Sequence, residues 1–186
     1  MSSTTNISVG KPKIGGAIYN APAGSTLPTD ASTALDVAFK CLGYVSDDGT
    51  KNTNSPDTDN VAAWGGDIVQ IITKSKEDTF KFTLLEALNL DVLKAIYGAD
   101  NVTGTLAAGV VVKANNATQD ASVWIIEMVL QGDVVKRIVI PNAMLSDLGD
   151  ITYKDDEPIG YETTIAALPD STGNTHYEYI KGAAQE

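Results

Sequence analysis

The sequence predicts a mainly β fold, with two packed antiparallel sheets in a β-sandwich or split barrel and one flanking α-helix. Many short runs rich in β-branched and aromatic residues are separated by Gly, Pro and Asp turns. Only one stretch, residues 89–97, carries apolar residues at helical spacing. The 186 residues show no break in composition, so we expect one domain over 1–186.

The first 36 residues are rich in Gly, Pro, Ala, Ser and Thr, and only "GGAIY" looks like a strand. This composition predicts an extended N-terminal arm rather than a packed subdomain. From residue 37 to 45 the pattern alternates as in a half-buried strand. The predicted core side chains there are Val37, Phe39, Cys41 and Val45.

Residues 46–64 form a polar stretch, which we interpret as a long loop between strands. Loops of this length are either disordered or functional. Asp57 and Asp59 suggest a calcium loop, but Val61, Ala62 and Ile68 occupy positions where such a loop needs its ligands and its glycine. The sequence therefore predicts a solvated loop here.

The segments after this loop, "VAAW", "DIVQIITKSK" and "DTFKFTLLE", are predicted strands, with a hairpin turn near residues 76–78. The last strand directs Phe80, Phe82 and Leu84 towards the core. In the predicted helix, Asn89 can cap the start and Gly98 can close the end. The helix is expected to dock through Leu90, Leu93 and Tyr97.

The second half of the chain adds further strands. "ASVWIIEMVLQ" and "VVKRIVIPNA" flank a turn at 132–133, and "GVVVKAN" precedes them. The segment "ASVWIIEMVLQ" is apolar on both faces, so both faces should be covered and Trp124 should lie in the core. "DITYK" and "YETTIAAL" are predicted to pair across the acidic turn "DDEPIG", and "HYEYIKG" to add a last short strand.

The formal charge is -11, and residues 141–186 hold nine acids against two lysines. With Arg137 as its only arginine, the chain is poorly suited to clamp nucleic-acid phosphates. No apolar run approaches the length of a membrane helix, and the first residues do not have the pattern of a secretory signal. A single cysteine and no signal are typical of folding in a reducing cytoplasm.

No residue constellation predicts catalysis. His176 and Cys41 are the only His and Cys, too few for a zinc site, and Cys41 is predicted to be buried and unreactive. No phosphate-binding loop can be placed. Acids at 155–157 and Glu162 are interpreted as a solvated turn rather than paired catalytic carboxylates. We expect no enzyme, no metal and no cofactor.

The order of these segments resembles the major tail tube protein of long-tailed bacteriophages with non-contractile tails (siphophages). The resemblance covers most of the chain, and "AWGGD", "EDTFKFTLLE" and "PDSTGNTHYEY" carry most of it. It implies hexameric rings that stack into a hollow tube, through which genomic DNA leaves the head without specific binding. The implied partners are other copies of the chain, the tape measure protein, the tail terminator and distal tail or baseplate proteins, with no membrane. The implied location is the virion tail, with assembly in the host cytoplasm.

The resemblance also implies roles for particular residues. The arm and the 46–64 loop would contact the neighbouring ring, and polar positions on inner strands would face an acidic, DNA-repelling lumen. The stacking candidates are Ser46, Asp47, Asp48, Thr50, Lys51, Asp57, Asp59 and Trp64. The lumen candidates are Asp150, Thr152, Glu162, Thr164, Thr79, Lys81 and Thr83.

Two other functions fit a β-rich chain of this kind. One is a related ring-forming tube protein of a bacterial secretion or phage-derived system. The other is a carbohydrate-binding or adhesive β-sandwich, which would need a solvent-facing aromatic platform. Trp64 and Trp124 are interpreted as interface or core residues instead.

Overall fold

The computed structural model describes residues 2–182 and confirms a mainly β fold with one α-helix. Short 3₁₀ turns occur at Thr4–Asn6, Ala99–Asn101 and Gln131–Asp133. The strands and the helix are, in chain order, β1 (Lys11–Pro12), β2 (Ile18–Pro22), β3 (Lys40–Cys41), β4 (Lys51–Ala62), β5 (Ile68–Leu84), α1 (Leu90–Tyr97), β6 (Val102–Thr105), β7 (Gly109–Val112), β8 (Ser122–Val129), β9 (Val135–Leu148), β10 (Tyr161–Ala167) and β11 (Tyr177–Lys181).

Nine of the strands form one antiparallel sheet in the order β3-β2-β8-β9-β10-β5-β4, with β1 added beside β8 and β11 beside β9. A second sheet consists of β6 and β7 alone. The chain after β3 returns to β5, where Leu85 N donates to Tyr44 O at 3.0 Å and Ser46 N to Thr83 O at 2.9 Å. These bonds join the two ends of the large sheet, so that it curls around its core.

The main core fills the inside of this curved sheet. Phe80, Phe82 and Leu84 of β5 alternate inwards and meet Trp124 of β8, whose ring centroid lies 5.7 Å from that of Phe82. Helix α1 begins after Asn89, whose side chain accepts a hydrogen bond from Asp91 N, and ends at Gly98. Its buried face is formed by Val92, Leu93 and Ile96, while Leu90 and Tyr97 pack partly against the same core.

A smaller core covers the opposite face of β8 and β9. It contains Val123, Ile125 and Val139, against which Tyr177 and Tyr179 of β11 and parts of the segment 23–39 pack. Strand β8 therefore alternates between two cores, as its uniformly apolar sequence predicts.

A buried ion pair fastens the covering segment to this second face. The guanidinium of Arg137 contacts the carboxylate of Glu127, and both side chains are almost completely buried. Arg137 also donates to the carbonyl oxygens of Asp30 at 2.8 Å and Thr33 at 2.9 Å. Through these two hydrogen bonds Arg137 holds residues 30–33 against the sheet, and its loss would leave the buried carboxylate of Glu127 with Lys13 as its ionic partner.

The N-terminal segment is not the free arm that its composition predicts. Strand β2 lies inside the sheet between β3 and β8, and its Ile18 and Ala21 are buried. The apolar side chains on this face of β8 and β9 must be shielded from water, and the small residues of segment 23–39 can pack closely against them.

The predicted continuous strand over 37–45 is also wrong, since Lys40–Cys41 alone forms strand β3 and Val45 makes an isolated bridge to Leu84. Phe39 N donates to Asp36 O in a turn that breaks the alternation, so Val37 is 85% exposed and Cys41 is only half-buried. Phe39 and Leu42 are the buried residues of this segment, one in each core.

Two predicted connections differ from the structure. No turn occurs at 76–78, because β5 is continuous over 17 residues and the chain reverses instead at 63–67, where Gly65 and Gly66 adopt positive φ. The polar stretch before it is strand β4, not a loop. "DITYK" forms no strand, since β9 ends at Leu148 and β10 pairs with β5 and β9.

We expect Phe82→Ala to lower the free energy of unfolding by about 3–5 kcal/mol, because the ring is 1% exposed and its removal opens a cavity beside Trp124. Urea unfolding of the isolated subunit measures this change. Val37→Ala is the control and should change stability by less than about 0.5 kcal/mol. A small effect of Phe82→Ala would contradict this assignment of the core.

Candidate assembly surfaces

Strands β4 and β5 continue beyond the core as a two-stranded hairpin. Every residue of β4 is exposed, and so are the first ten of β5, residues 68–77. The register pairs Thr53 with Thr79 near the core and Ala62 with Ile68 at the tip. About ten residues at roughly 3.3 Å each give a projection of about 33 Å, which is far longer than a connection within one domain requires.

The hairpin carries apolar side chains that the rest of residues 2–182 leaves uncovered. Ile68, Val69, Ile71 and Ile72 are between 46% and 64% exposed, and Trp64 at the tip is completely exposed. Side chains of adjacent residues point to opposite faces of a strand, so Ile71 and Ile72 place apolar surface on both sides. Contiguous exposed apolar surface of this kind marks an interaction site.

Irregularities in the strand pairing shape the hairpin. Register shifts occur after Asp57 and after Val61, and such bulges increase the local twist. Pro56 lies in the middle of β4, opposite Lys76, on the outer edge of the sheet. Lys74 pairs with Asp59 at 2.8 Å, but both side chains are exposed and the pair contributes little stability.

A buried polar cluster anchors the hairpin where it leaves the core. The carboxylate of Asp78 is 3% exposed and accepts hydrogen bonds from Asn52 Nδ2 at 2.8 Å and Thr175 Oγ1 at 2.5 Å. His176 Nδ1 lies 2.5 Å from the same carboxylate, and its ring meets Phe80 edge to face. The cluster ties both hairpin strands to the C-terminal segment that leads into β11.

The environment of Asp78 favours its charged form. Burial alone raises the pKa of this carboxyl, but the hydrogen bonds from Thr175, Asn52 and His176 outweigh burial and hold its pKa below the ordinary value. His176, the single histidine, is thus engaged in a structural contact. Among residues 2–182 there is no group of three or more His, Cys, Asp or Glu side chains arranged to hold a metal ion.

A polar sheet face lies beside the hairpin base, on the opposite side of β5 and β10 from the main core. Thr83 pairs with Glu162 and Lys81 with Thr164 across the two strands, and Thr79 continues the row. Lys81 Nζ contacts Glu162 Oε1 at 2.8 Å, and this hydrogen bond raises the pKa of Lys81. Desolvation opposes the rise, and the negative charges of Glu162 and Asp147 add to it. The face therefore mixes both signs of charge.

The structure brings together five of the seven lumen candidates and separates the other two. Thr79, Lys81, Thr83, Glu162 and Thr164 share this polar face. Asp150 and Thr152 do not, because they lie in the irregular segment between β9 and β10, where both are exposed. The acid that does join the face is Asp147, opposite Thr164 on β9.

The stacking candidates are distributed along the hairpin and the turn that leads into it. Ser46, Asp47, Asp48 and Thr50 form the turn that enters β4, where Asp48 N donates to Ser46 Oγ at 3.2 Å. Lys51, Asp57 and Asp59 lie on β4 itself, and Trp64 lies at the tip.

A cleft of about 600 Å³, which the sequence analysis did not predict, lies at the other end of β5. The turn at Gly15–Gly16 forms one wall, and a Cβ at Gly16 would collide with the Cys41 sulfur, so only glycine fits there. The doubled glycine is the one signal that marks this place in the sequence. The lining residues include Lys13, Ile14, Ala17, Cys41, Tyr44, Val45, Glu86 and Asn89.

A curled antiparallel sheet, an uncovered apolar hairpin and a polar sheet face are the features of a subunit built to associate with other chains. A family model described as phage tail tube protein matches residues 9–186. The chain therefore belongs to the phage tail tube protein family, a structural family whose members assemble into the tube of the virion tail together with other tail proteins. Comparison with curated proteins gives no match. Among the residues that the structure describes, no helix has the length and apolar character to cross a bilayer.

Asp78 should make the subunit sensitive to acid. Its pKa is lower in the folded than in the unfolded chain, so its contribution is complete above the ordinary value of 3.8 and is lost as the pH falls through the lower folded value. Asp78→Asn should lower the free energy of unfolding at pH 7 by about 2 kcal/mol, because the amide oxygen cannot accept hydrogen bonds from all three donors. Its urea midpoint should also fall less between pH 5 and pH 3 than that of the wild type.

Asp155→Asn is the control. This carboxyl is exposed in the irregular segment between β9 and β10, so its replacement should change neither the stability at pH 7 nor the loss of stability in acid. Equal acid sensitivity of the wild type and Asp78→Asn would contradict the role of the buried cluster.

Proposed function

We propose that this protein forms hexameric rings, which stack into the hollow tail tube of a siphophage and conduct the genome into the host. The observation that carries the proposal is the projecting hairpin of β4 and β5, whose apolar faces have no partner within residues 2–182. An uncovered apolar surface on a projecting hairpin fits stacking against another ring, and membership of the tail tube family supplies the context.

The lumen is assigned in this proposal to the polar face of β5, β10 and β9. Much of the rest of the sheet is covered on both sides, whereas this face carries Thr, Ser, Asp, Glu and Lys side chains that suit a water-filled channel. Two of its acids, Asp147 and Glu162, surround Lys81 and hold it by charge. A lysine engaged in this way is less available to phosphates, so DNA would pass without lasting contact.

The wider set of partners follows from the same proposal. One end of the tube would meet a tail terminator and the other the distal tail or baseplate proteins, and a tape measure protein would occupy the lumen before the DNA. A tube protein of a secretion or phage-derived system remains the second candidate, because the hairpin and the sheet would serve a ring of either kind.

Removing the hairpin should abolish tube formation and leave the fold intact. We expect a variant in which an Asn-Gly turn replaces residues 56–76 to keep the Asp78 cluster and to remain a folded, dispersed subunit. Deleting β4 alone is a poorer test, because it would leave β5 unpaired. Negative-stain electron microscopy at rising protein concentration would show striated tubes for the wild type and none for the variant.

Lys74→Ala is the control for this experiment, since it removes only the exposed pair with Asp59 and should form normal tubes. Tubes from the truncated variant would refute the role of the hairpin.

Charge reversal on the polar face should slow DNA. In particles built with Asp147→Lys/Glu162→Lys subunits, Lys81 loses its carboxylate partner and the face becomes basic, so ejection should slow and become strongly salt-dependent. Asp155→Lys/Asp156→Lys makes the same change of charge in the exposed turn between β9 and β10 and is the control. Unchanged ejection rates for the first variant, at all salt concentrations, would show that another face lines the lumen.

A further inference from the structure

The hairpin tip and the cleft lie at opposite ends of the same strand. Strand β5 begins at Ile68, next to the tip, and ends at Leu84, two residues before Glu86 in the cleft wall. Seventeen residues at roughly 3.3 Å each span about 55 Å if the strand is straight. The tip of one chain therefore cannot reach its own cleft.

The two surfaces are both apolar and both uncovered. Trp64 is completely exposed in the turn at 63–66, where Gly66 N donates to Ala63 O at 3.0 Å. At the cleft, Ile14 is 99% and Tyr44 77% exposed, and Ala17 and Val45 continue the apolar lining. Each surface exposes a large aromatic or aliphatic side chain to water, and association of the two surfaces would bury these side chains.

The polar groups of the two surfaces also fit each other. A buried indole N–H needs an acceptor, and the cleft offers the carboxylate of Glu86, which accepts from Tyr44 N at 3.1 Å and from Asn89 Nδ2 at 2.9 Å. Asp67 follows the tip, and Lys13 lies on the cleft wall, where its Nζ contacts the buried carboxylate of Glu127 at 2.6 Å and its side chain is 41% exposed. The exposed part of this side chain would meet Asp67 at the rim of the contact.

We propose that the cleft is the receptor for Trp64 of a second copy of this chain, so that each subunit inserts its tip into one neighbour and receives the tip of another. The contact is heterologous, because the tip of one chain meets the cleft of another. When it is repeated head to tail, the stack of subunits grows without closing on itself, as a tube requires. The inference rests on the proposed stacking of rings and names the two surfaces that perform it.

Trp64 should behave as an anchor of this contact. Trp64→Ala should leave the unfolding midpoint of the subunit unchanged, because the side chain is exposed, but raise the critical concentration for tube assembly by about tenfold or more. Trp64→Phe should recover much of that loss, since it keeps an aromatic group. Unchanged assembly of Trp64→Ala would overturn the proposal.

The single cysteine permits a direct test of the contact. Cys41 lines the cleft, so Ala63→Cys places a second thiol beside Trp64 while keeping the indole. In assembled tubes, a short bis-maleimide should link the thiol introduced into the tip of one chain to Cys41 of the next and give a ladder of multimers on denaturing gels. Ala63→Cys/Cys41→Ser has one thiol per chain and can give dimers at most. Thr58→Cys, midway along the hairpin, is the matched control and should give no ladder.

Alkylation of Cys41 with N-ethylmaleimide tests the cleft from the other side. Treated wild-type subunits should stay folded and fail to assemble, whereas Cys41→Ser subunits given the same treatment should form tubes. If Ala63→Cys tubes form but give no ladder, and Cys41 reacts equally fast in wild-type tubes and in free subunits, the proposed contact is wrong although stacking stands. If the untreated wild type forms no tubes at any concentration, the proposed function itself fails.

Discussion

The structure depends on the continuity of β5. Its C-terminal third, with Phe80, Phe82 and Leu84, is part of the main core, and its first ten residues are one side of the exposed hairpin. Since β5 runs continuously from the core into the hairpin, the packing of those core residues sets the direction in which the hairpin leaves the core, and the bulges in its pairing with β4 add twist beyond that point. The Asp78 cluster stands at the boundary and ties both hairpin strands to the C-terminal segment. A subunit that must fit identical neighbours needs a projection held in this way.

How far the sequence predicts this fold depends on where each segment buries its side chains. The alternation at Phe80–Leu84, the helix after Asn89 and the two-faced β8 could be predicted, because the partners of these residues lie within the same chain. Strand β4 could not, because none of its residues is buried and its polar side chains carry no period. Only "GG" at 65–66 indicated the turn.

The candidate sites were predictable to the same limited degree. The shared polar face of Thr79, Lys81 and Thr83 could be predicted because their alternation mirrors that of the buried Phe80 and Phe82. Asp150 and Thr152 were placed on a strand because "DITYK" has β-rich composition, but the chain there leaves the sheet after Gly149. The cleft is assembled from segments 12–17, 41–45 and 86–89, and the doubled glycine at 15–16 marks only the first of these three distant pieces.

Charge and edges together make this a protein that associates selectively. The only arginine is engaged inside the fold with Glu127 and the carbonyls of residues 30–33, so the surface offers no guanidinium to a passing nucleic acid.

Pro56 limits unwanted pairing at the edge of the large sheet. Strand β4 is the outer edge of the sheet, and a row of free backbone groups on an apolar hairpin is a template for fibril growth. Because proline has no N–H to offer, sideways addition of a second hairpin is interrupted in the middle of that edge. Pro56 therefore opposes amyloid-like pairing along this edge, while the faces and the tip of the hairpin stay exposed.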